Sequence, residues 1–158
     1  MEAGFDLAMI TSAQEFPFDR EAALKRLRDG LMNGLPWFTE ARVQRGSDPQ
    51  QLLPGARSII SLGLSYFSAG EHRQGDANPR GKVARYALGK DYHRVMKDRM
   101  KTYVRVLSLE LDESINARWY VDDGPMLDRA AAARSGLGWF GKNANILTSS
   151  HGSWVFLG

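Results

Sequence analysis

The run RWYVDDGPMLDRAAAARSGLGWFGKN, residues 118–143, passes through three kinds of local structure. RWYVDD, 118–123, reads as a strand. Pro125 opens a helix that carries Asp128, Arg129 and a run of alanines and stops at Gly136. Residues 136–145 form a glycine-rich loop, and ILTSS and SWVFLG beyond it predict a closing hairpin. Strand, helix and strand in so short a span predict a layered α/β or α+β sandwich, a sheet flanked by helices.

The upstream sequence repeats the pattern. GFDLAMIT alternates apolar Phe5, Leu7 and Met9 with Asp6 and Ala8 and predicts a strand. Asp19 caps a helix running to Asn33 with Ala23, Leu24, Leu27 and Leu31 on one face, and Gly34 ends it. Pro36 opens a second short helix, PWFTEARVQR, and Asp48-Pro49 and Pro54-Gly55 punctuate a loop. RSIISLGLSYF, 57–67, is a largely buried strand; the polar run 68–82 is an exposed loop; VARYAL is extended. Asp91 caps a long helix to about Ile115, with Tyr92, Val95, Met96, Met100, Tyr103, Val104, Leu107 and Leu111 at helical spacing.

At 158 residues the chain reads as one domain, 1–158, large enough to bury a core. Hydrophobic residues at 43% and charged residues at 25% exclude a disordered or collagen-like chain. No apolar run approaches the ~18 residues of a membrane span, and Glu2 with no basic segment excludes a secretory leader. There is no cysteine, so this chain supplies no disulfide, thiol nucleophile or thiolate cluster ligand, and three histidines, His72, His93 and His151, make a multi-histidine metal site a poor expectation. The net charge of +3 is uneven: residues 80–105 hold nine basic residues against Asp91 and Asp98. Such a stretch attracts a polyanion such as nucleic acid, or is simply a solvated helix face.

Gly136 to Asn143 matches G-x-G-x-x-G and the first seven places of G-x-x-x-x-G-K-[ST]. Both matches are coincidental, because the loop follows a helix and leads into a strand, and Asn143 lacks the hydroxyl that holds magnesium. What remains is physical: glycines allow close backbone approach to a ligand, and Lys142 can aim its charge inward. Gly136 is also explained as a helix C-cap. Asp122 and Asp123 end the predicted strand, so they point to opposite faces. Asp123 reads as a helix N-cap; Asp122 reads as a buried carboxyl whose proton burial would retain. Arg129 is placed to pair with either. Arg85, Tyr86, Asp91, Tyr92 and His93 gather aromatic and charged groups at a loop-to-helix junction that suits a polar ligand.

Four stretches carry a resemblance: WFTEARVQRGSDPQQLLPGARSII, ARYALGKDYH, VDDGPMLDRAAAARSGLGWFGKN and GSWVFLG. In this order and spacing, from about Gly4 to Gly158, the chain resembles the cobalamin-binding catalytic domain of epoxyqueuosine reductase. The resemblance implies a nitroreductase-like sandwich akin to that of reductive dehalogenases. It implies reduction of an epoxide on a modified tRNA base to the alkene of queuosine, using cobalamin fed by two [4Fe–4S] clusters. Asp122 matches the family's proton donor, and Arg85 and Arg129 match active-site arginines. Lys142 with Gly138, Gly141 and Asn143 matches the cobalamin-contacting segment, and Tyr86 and His93 fall in a cofactor-facing motif. Arg45 falls at a matching basic position. The implied partners are tRNA bearing epoxyqueuosine, cobalamin and an electron donor acting through a cluster domain, in a bacterial cytoplasm. The family continues into a ferredoxin-like, cysteine-rich domain, so the chain is expected to be truncated at both ends. Asp123 stands where small residues are common in the family.

Other readings stay open. A non-catalytic corrinoid carrier or trafficking module needs no clusters. An RNA-binding module would use the basic helix and bind tRNA in a salt-sensitive way, indifferent to corrinoid. A flavin-using nitroreductase relative is a further one.

Overall fold

A computed structural model describes residues 3–68, 81 and 83–158. Most of the predicted loop 68–82, with His72, Arg80 and Lys82, lies outside the described residues. The elements run β1 (Leu7–Ser12), α1 (Pro17–Arg28), α2 (Glu40–Gly46), α3 (Pro49–Leu52), β2 (Ser58–Ser65), a 3-10 turn at Arg85–Ala87, α4 (Tyr92–Leu111), α5 (Asp128–Arg134), β3 (Trp139–Phe140), β4 (Ile146–Leu147) and β5 (Val155–Leu157).

The centre is an antiparallel sheet in the order β1-β2-β5. Leu7 pairs with Gly63 and Ser12 with Ser58 on one side of β2; Gly63 pairs with Leu157 and Ser65 with Val155 on the other. The period-2 alternation of β2 then builds two cores. Ile60, Leu62 and Leu64 turn to α4, where Met96 and Met100 are buried with Phe5 and Val121. Ile59 turns to the opposite face, where Ala130 and Ala131 of α5 pack with Phe16. The alanine run lets α5 lie close to the sheet, and the next turn buries Ala132 with Leu137 and Ile146. The expected helix–sheet–helix layering is present, as an α+β fold with an antiparallel sheet. No helix among the described residues is long and apolar enough to cross a membrane.

α4 follows its prediction closely. Asp91 caps it, its side chain accepting from His93 N at 3.0 Å. Several expectations need correction. The α1 helix spans Pro17–Arg28 and buries no residue; Gly30, at φ +71°, stops it before Gly34. The α2 helix opens at Glu40 on a Thr39 cap, not at Pro36, and Asp48 caps α3 where a loop was expected. VARYAL contains the 3-10 turn. Residues 118–123 join no sheet, although 114–120 carries no helix or turn either. The helix after Pro125 starts at Asp128, because the 122–127 segment is held by side-chain contacts instead. Finally, ILTSS and SWVFLG do not form one hairpin: β4 pairs with β3, and β5 pairs with β2, leaving only a Thr148–Gly152 bridge between them.

Candidate functional site

The segment Asp122–Leu127 is fastened from several sides. The Arg42 guanidinium of α2 donates to the Gly124 carbonyl and lies 5.1 Å from the Trp37 ring centre. Gly46 lets α2 touch this segment: a Cβ there would sit 1.9 Å from the Pro125 carbonyl oxygen. From α4, Lys97 pairs with Asp123, and the Tyr92 hydroxyl donates to Asp122 Oδ2 at 2.7 Å. Neither Arg42 nor Lys97 was singled out from sequence as site machinery; both sit on elements distant in the chain, and spacing alone does not join them to Asp122.

Asp122 is exposed, not buried as expected, and its φ of +54° is left-handed. Aspartate tolerates that region better than most residues, and the bend lifts its carboxyl off the segment. Asp123 caps no helix. Its Oδ1 accepts from Val121 N at 3.0 Å, and the Lys97 ammonium bonded to it holds its carboxyl below the usual range, against the push of burial. Hydrogen bonding to Asp122 and, above all, burial raise the Tyr92 hydroxyl, which therefore stays a donor.

Tyr92 also starts an aromatic wall. Its ring stacks on Phe156 at 4.0 Å and on His93 at 4.0 Å; Phe156 meets Tyr66 at 4.5 Å, and Tyr66 meets Trp154 at 5.6 Å. Arg85 closes the far end, 5.4 Å from Trp154 and 5.3 Å from Phe67, while donating to the Ser68 carbonyl. The wall thus gathers Asp122, His93 and Arg85. His93 Nδ1 is 2.8 Å from Asp91 Oδ1, and those contacts lower the Asp91 carboxyl. Tyr86 is exposed beside Arg85.

A second group surrounds the β3–β4 hairpin. Arg129 donates to the Ala144 carbonyl at 2.7 Å; it pairs with neither Asp122 nor Asp123 among the described contacts. The turn closes by Gly141 N to Asn145 O at 2.8 Å and Ala144 N to Gly141 O at 2.9 Å. Gly138 is there for packing: a Cβ would lie 2.3 Å from the Leu147 carbonyl oxygen. A Cβ on Gly141 would meet Asn143 Oδ1 at 2.8 Å and the Leu147 side chain at 3.1 Å. The two glycines that sequence left unexplained therefore admit β4. Lys142 and Asn143 are exposed at the tip. Arg45 is exposed in the last turn of α2 and joins neither group by a described contact.

The carboxyl whose net shift is upward is Asp128. Burial, with the charges of Asp122 and Asp123, pushes it up to about 7 against the opposing Arg129. It lines a cavity of about 450 Å³ between β2 and residues 113–120, which Asp122 does not line. The signal available in sequence was three aspartates within seven residues, 122 to 128.

Much of the basic stretch is engaged within the chain. Lys97 holds Asp123, Arg99 donates to the Gly4 carbonyl, Lys101 pairs with Asp98 at 3.2 Å, and Arg85 sits in its aromatic clamp. Lys90, Arg94 and Arg105 remain exposed.

The fold and site together define an α+β domain that presents an exposed aspartate beside an aromatic wall. Residues 47–123 match the family model described as epoxyqueuosine reductase QueG, DUF1730. The chain is 39% identical over 147 residues to the epoxyqueuosine reductase of a Synechocystis species, covering 89% of this chain and 48% of that protein. It is 40% identical over 161 residues to that of a Synechococcus species, covering 100% and 48%. The structure of epoxyqueuosine reductase from Streptococcus thermophilus superposes with a TM-score of 0.87 at 27% identity, over 99% of this chain and 41% of that one. An epoxyqueuosine reductase crystallised with a tRNA-Tyr epoxyqueuosine-modified stem loop gives 0.80 at 29% identity, over 99% and 41%. A Bacillus subtilis structure, at 0.77 and 28% over the same shares, is described with its aspartate catalytic loop swung out of the active site. The chain spans about half the length of the curated relatives it matches.

Proposed function

We propose that this chain is the cobalamin-binding catalytic portion of an epoxyqueuosine reductase, acting on epoxyqueuosine in tRNA in the bacterial cytoplasm. The observation that carries the proposal is Asp122. It is exposed, bent into the left-handed region and held by one neutral donor, Tyr92. That is a carboxyl positioned to meet a substrate, and the Bacillus subtilis relative is described with an aspartate catalytic loop.

Reduction of an epoxide to an alkene takes two electrons and two protons and releases water. The ring oxygen leaves as a base and needs a proton from a nearby acid. Asp122, open to solvent for reprotonation, relays both protons from solvent to that oxygen, and Tyr92 orients the carboxyl through Oδ2, leaving Oδ1 for substrate. The aromatic wall offers stacking surface beside the acid, and Arg85 adds positive charge at its far end. Arg129 acts as a positioning residue by holding the hairpin at Ala144.

Cobalamin is broad, flat and edged with amides, so its site needs apolar surface beside exposed donors and acceptors. The half-exposed Trp139 and Phe140 beside the exposed Lys142, Asn143 and Asn145 have that chemistry. Lys142 and Asn143 would hold its amides, Gly138 and Gly141 would shape the hairpin that presents them, and the exposed Tyr86 and half-exposed His93 would border it; Arg45 remains a peripheral contact. When bound, cobalamin supplies the strongly reducing centre that the side chains lack. [4Fe–4S] clusters do not fit this chain, which has no cysteine to ligate them. Electrons enter from another domain or protein.

The test joins this chain to the remaining half of the Synechocystis relative and compares the active fusion with its Asp122→Asn variant. Retained cobalamin binding with loss of queuosine formation is the expected result. Full turnover in the variant overturns the role of Asp122.

A further inference from the structure

Asp123 caps no helix, and the chemistry proposed for Asp122 does not use it. Its carboxylate nonetheless holds two partners from different parts of the chain. Oδ1 accepts from Val121 N at 3.0 Å, two residues back, and Oδ2 pairs with the Lys97 ammonium of α4. The first bond closes a ring of main-chain and side-chain atoms around one residue, Asp122. The backbone folds back inside that ring, and Asp122 turns it, at φ +54°. The left-handed region is unfavourable for a residue with a Cβ, and such conformations persist where the surroundings over-determine them. Three non-glycine residues have positive φ among the described residues. Asp112 ends α4, and Ala144 lies in the β3–β4 turn. Asp122 has neither explanation, and the ring supplies one.

α4 reaches this ring twice. Lys97 holds Asp123, and Tyr92, one and a half turns earlier, donates to Asp122 Oδ2 at 2.7 Å. The two contacts fix different things. Tyr92 orients a carboxyl that already points at α4. The ring and Lys97 bring the chain to the bend that points it there. The Lys97 and Asp123 side chains are 34% and 41% exposed, so the ion pair adds little to the stability of the fold. Downstream, Arg42 holds the Gly124 carbonyl and Gly46 backs Pro125, neither of them through Asp123. Losing the Asp123 carboxylate therefore frees the segment at the Asp122 end and leaves its other end fastened.

Taking Asp122 as the proton donor, we propose that Asp123 is a positioning residue for it: the Asp123 carboxylate folds the backbone through Val121 N and ties the fold to Lys97, which brings the Asp122 carboxyl to the Tyr92 hydroxyl. Lys97 first, and the Val121 amide after it, keep Asp123 ionised for both bonds. Two substitutions separate those bonds. Asparagine keeps an oxygen acceptor for Val121 N and loses the charge that holds Lys97. Alanine loses both.

The test has two readouts. On the isotope-labelled chain, nuclear magnetic resonance measures the three-bond coupling between Asp122 Hα and the Val121 carbonyl carbon, which is large for a left-handed φ and small for an ordinary one. It should be large in the unsubstituted chain and in Asp123→Asn, and fall to the ordinary value in Asp123→Ala. In the fusion with the remaining half of the Synechocystis relative, Asp123→Ala should lower kcat about tenfold, with KM for the tRNA and cobalamin affinity unchanged. Asp123→Asn should bring kcat back to within about threefold of the unsubstituted fusion. A coupling that stays large in Asp123→Ala overturns the proposal, and so does a kcat loss matched by an equal loss of tRNA or cobalamin binding. Asp122→Asn, run in parallel, assigns a failure of activity. If it is inactive while Asp123→Ala turns over fully, Asp123 has no positioning role. If Asp122→Asn itself turns over fully, the donor reading fails, and the coupling alone decides whether Asp123 sets the bend.

Discussion

Replacing Asp128 by Asn should stabilise the chain, by an amount that grows with pH. Asp128 opens α5 and lines the central cavity. Burial and the neighbouring charges of Asp122 and Asp123 raise its carboxyl from 3.8 to about 7. In the folded chain the proton stays on to about pH 7, whereas the unfolded chain releases it near 3.8. Between those values folding takes up a proton, so stability falls as pH rises and levels off above about 7. At about 1.4 kcal/mol for each pH unit, ionised Asp128 destabilises the fold by up to about 4 kcal/mol at pH 8. Asparagine keeps the shape and removes the charge. It also removes a favourable negative charge from the first turn of α5, worth at most about 1 kcal/mol. The net gain of about 3 kcal/mol corresponds to a rise in Tm of about 6–12 °C at pH 8. The gap should close as pH falls toward 4. Thermal melts by circular dichroism from pH 4.5 to 8.5 measure it. A variant no more stable at pH 8, or a gap that does not change with pH, refutes the reasoning.

Other perturbations read other parts of the molecule. Gly138→Ala drives a methyl group into the Leu147 carbonyl, so it should lower stability by about 1–3 kcal/mol in a denaturant titration. Arg134→Ala removes donors to the Ser12, Gln14 and Glu15 carbonyls and a cation over the Phe16 ring at 3.6 Å; a loss of about 2–3 kcal/mol is expected by the same measurement. Tyr92→Phe in the active fusion should lower kcat about tenfold through a loosened Asp122, with cobalamin affinity unchanged.

Some of this was legible from residue patterns and some was not. α4 was readable because its cap and its apolar spacing are local properties of residues 91–111. β1 and β2 were readable for the same reason: alternation and β-branched content need no partner to be seen. Residues 118–123 read as a strand, yet a strand also needs a neighbour, and sequence composition does not contain one. Gly138 and Gly141 were conspicuous as glycines, but what they make room for is β4, five to nine residues further on and folded back. Asp122 was singled out as a buried carboxyl, yet it is exposed and held by Tyr92, a partner thirty residues away that spacing does not reveal. The carboxyl that burial raises is Asp128, which lines the cavity between β2 and residues 113–120. Arg42 and Lys97 reach the 122–127 segment only through tertiary packing.

The most direct test of the central claim is a visible-absorption titration of the folded, monodisperse chain with cob(II)alamin, run beside Lys142→Ala. A saturable spectral change, weakened in the variant, is the predicted result. A folded chain whose addition leaves the cobalamin spectrum unchanged contradicts the account.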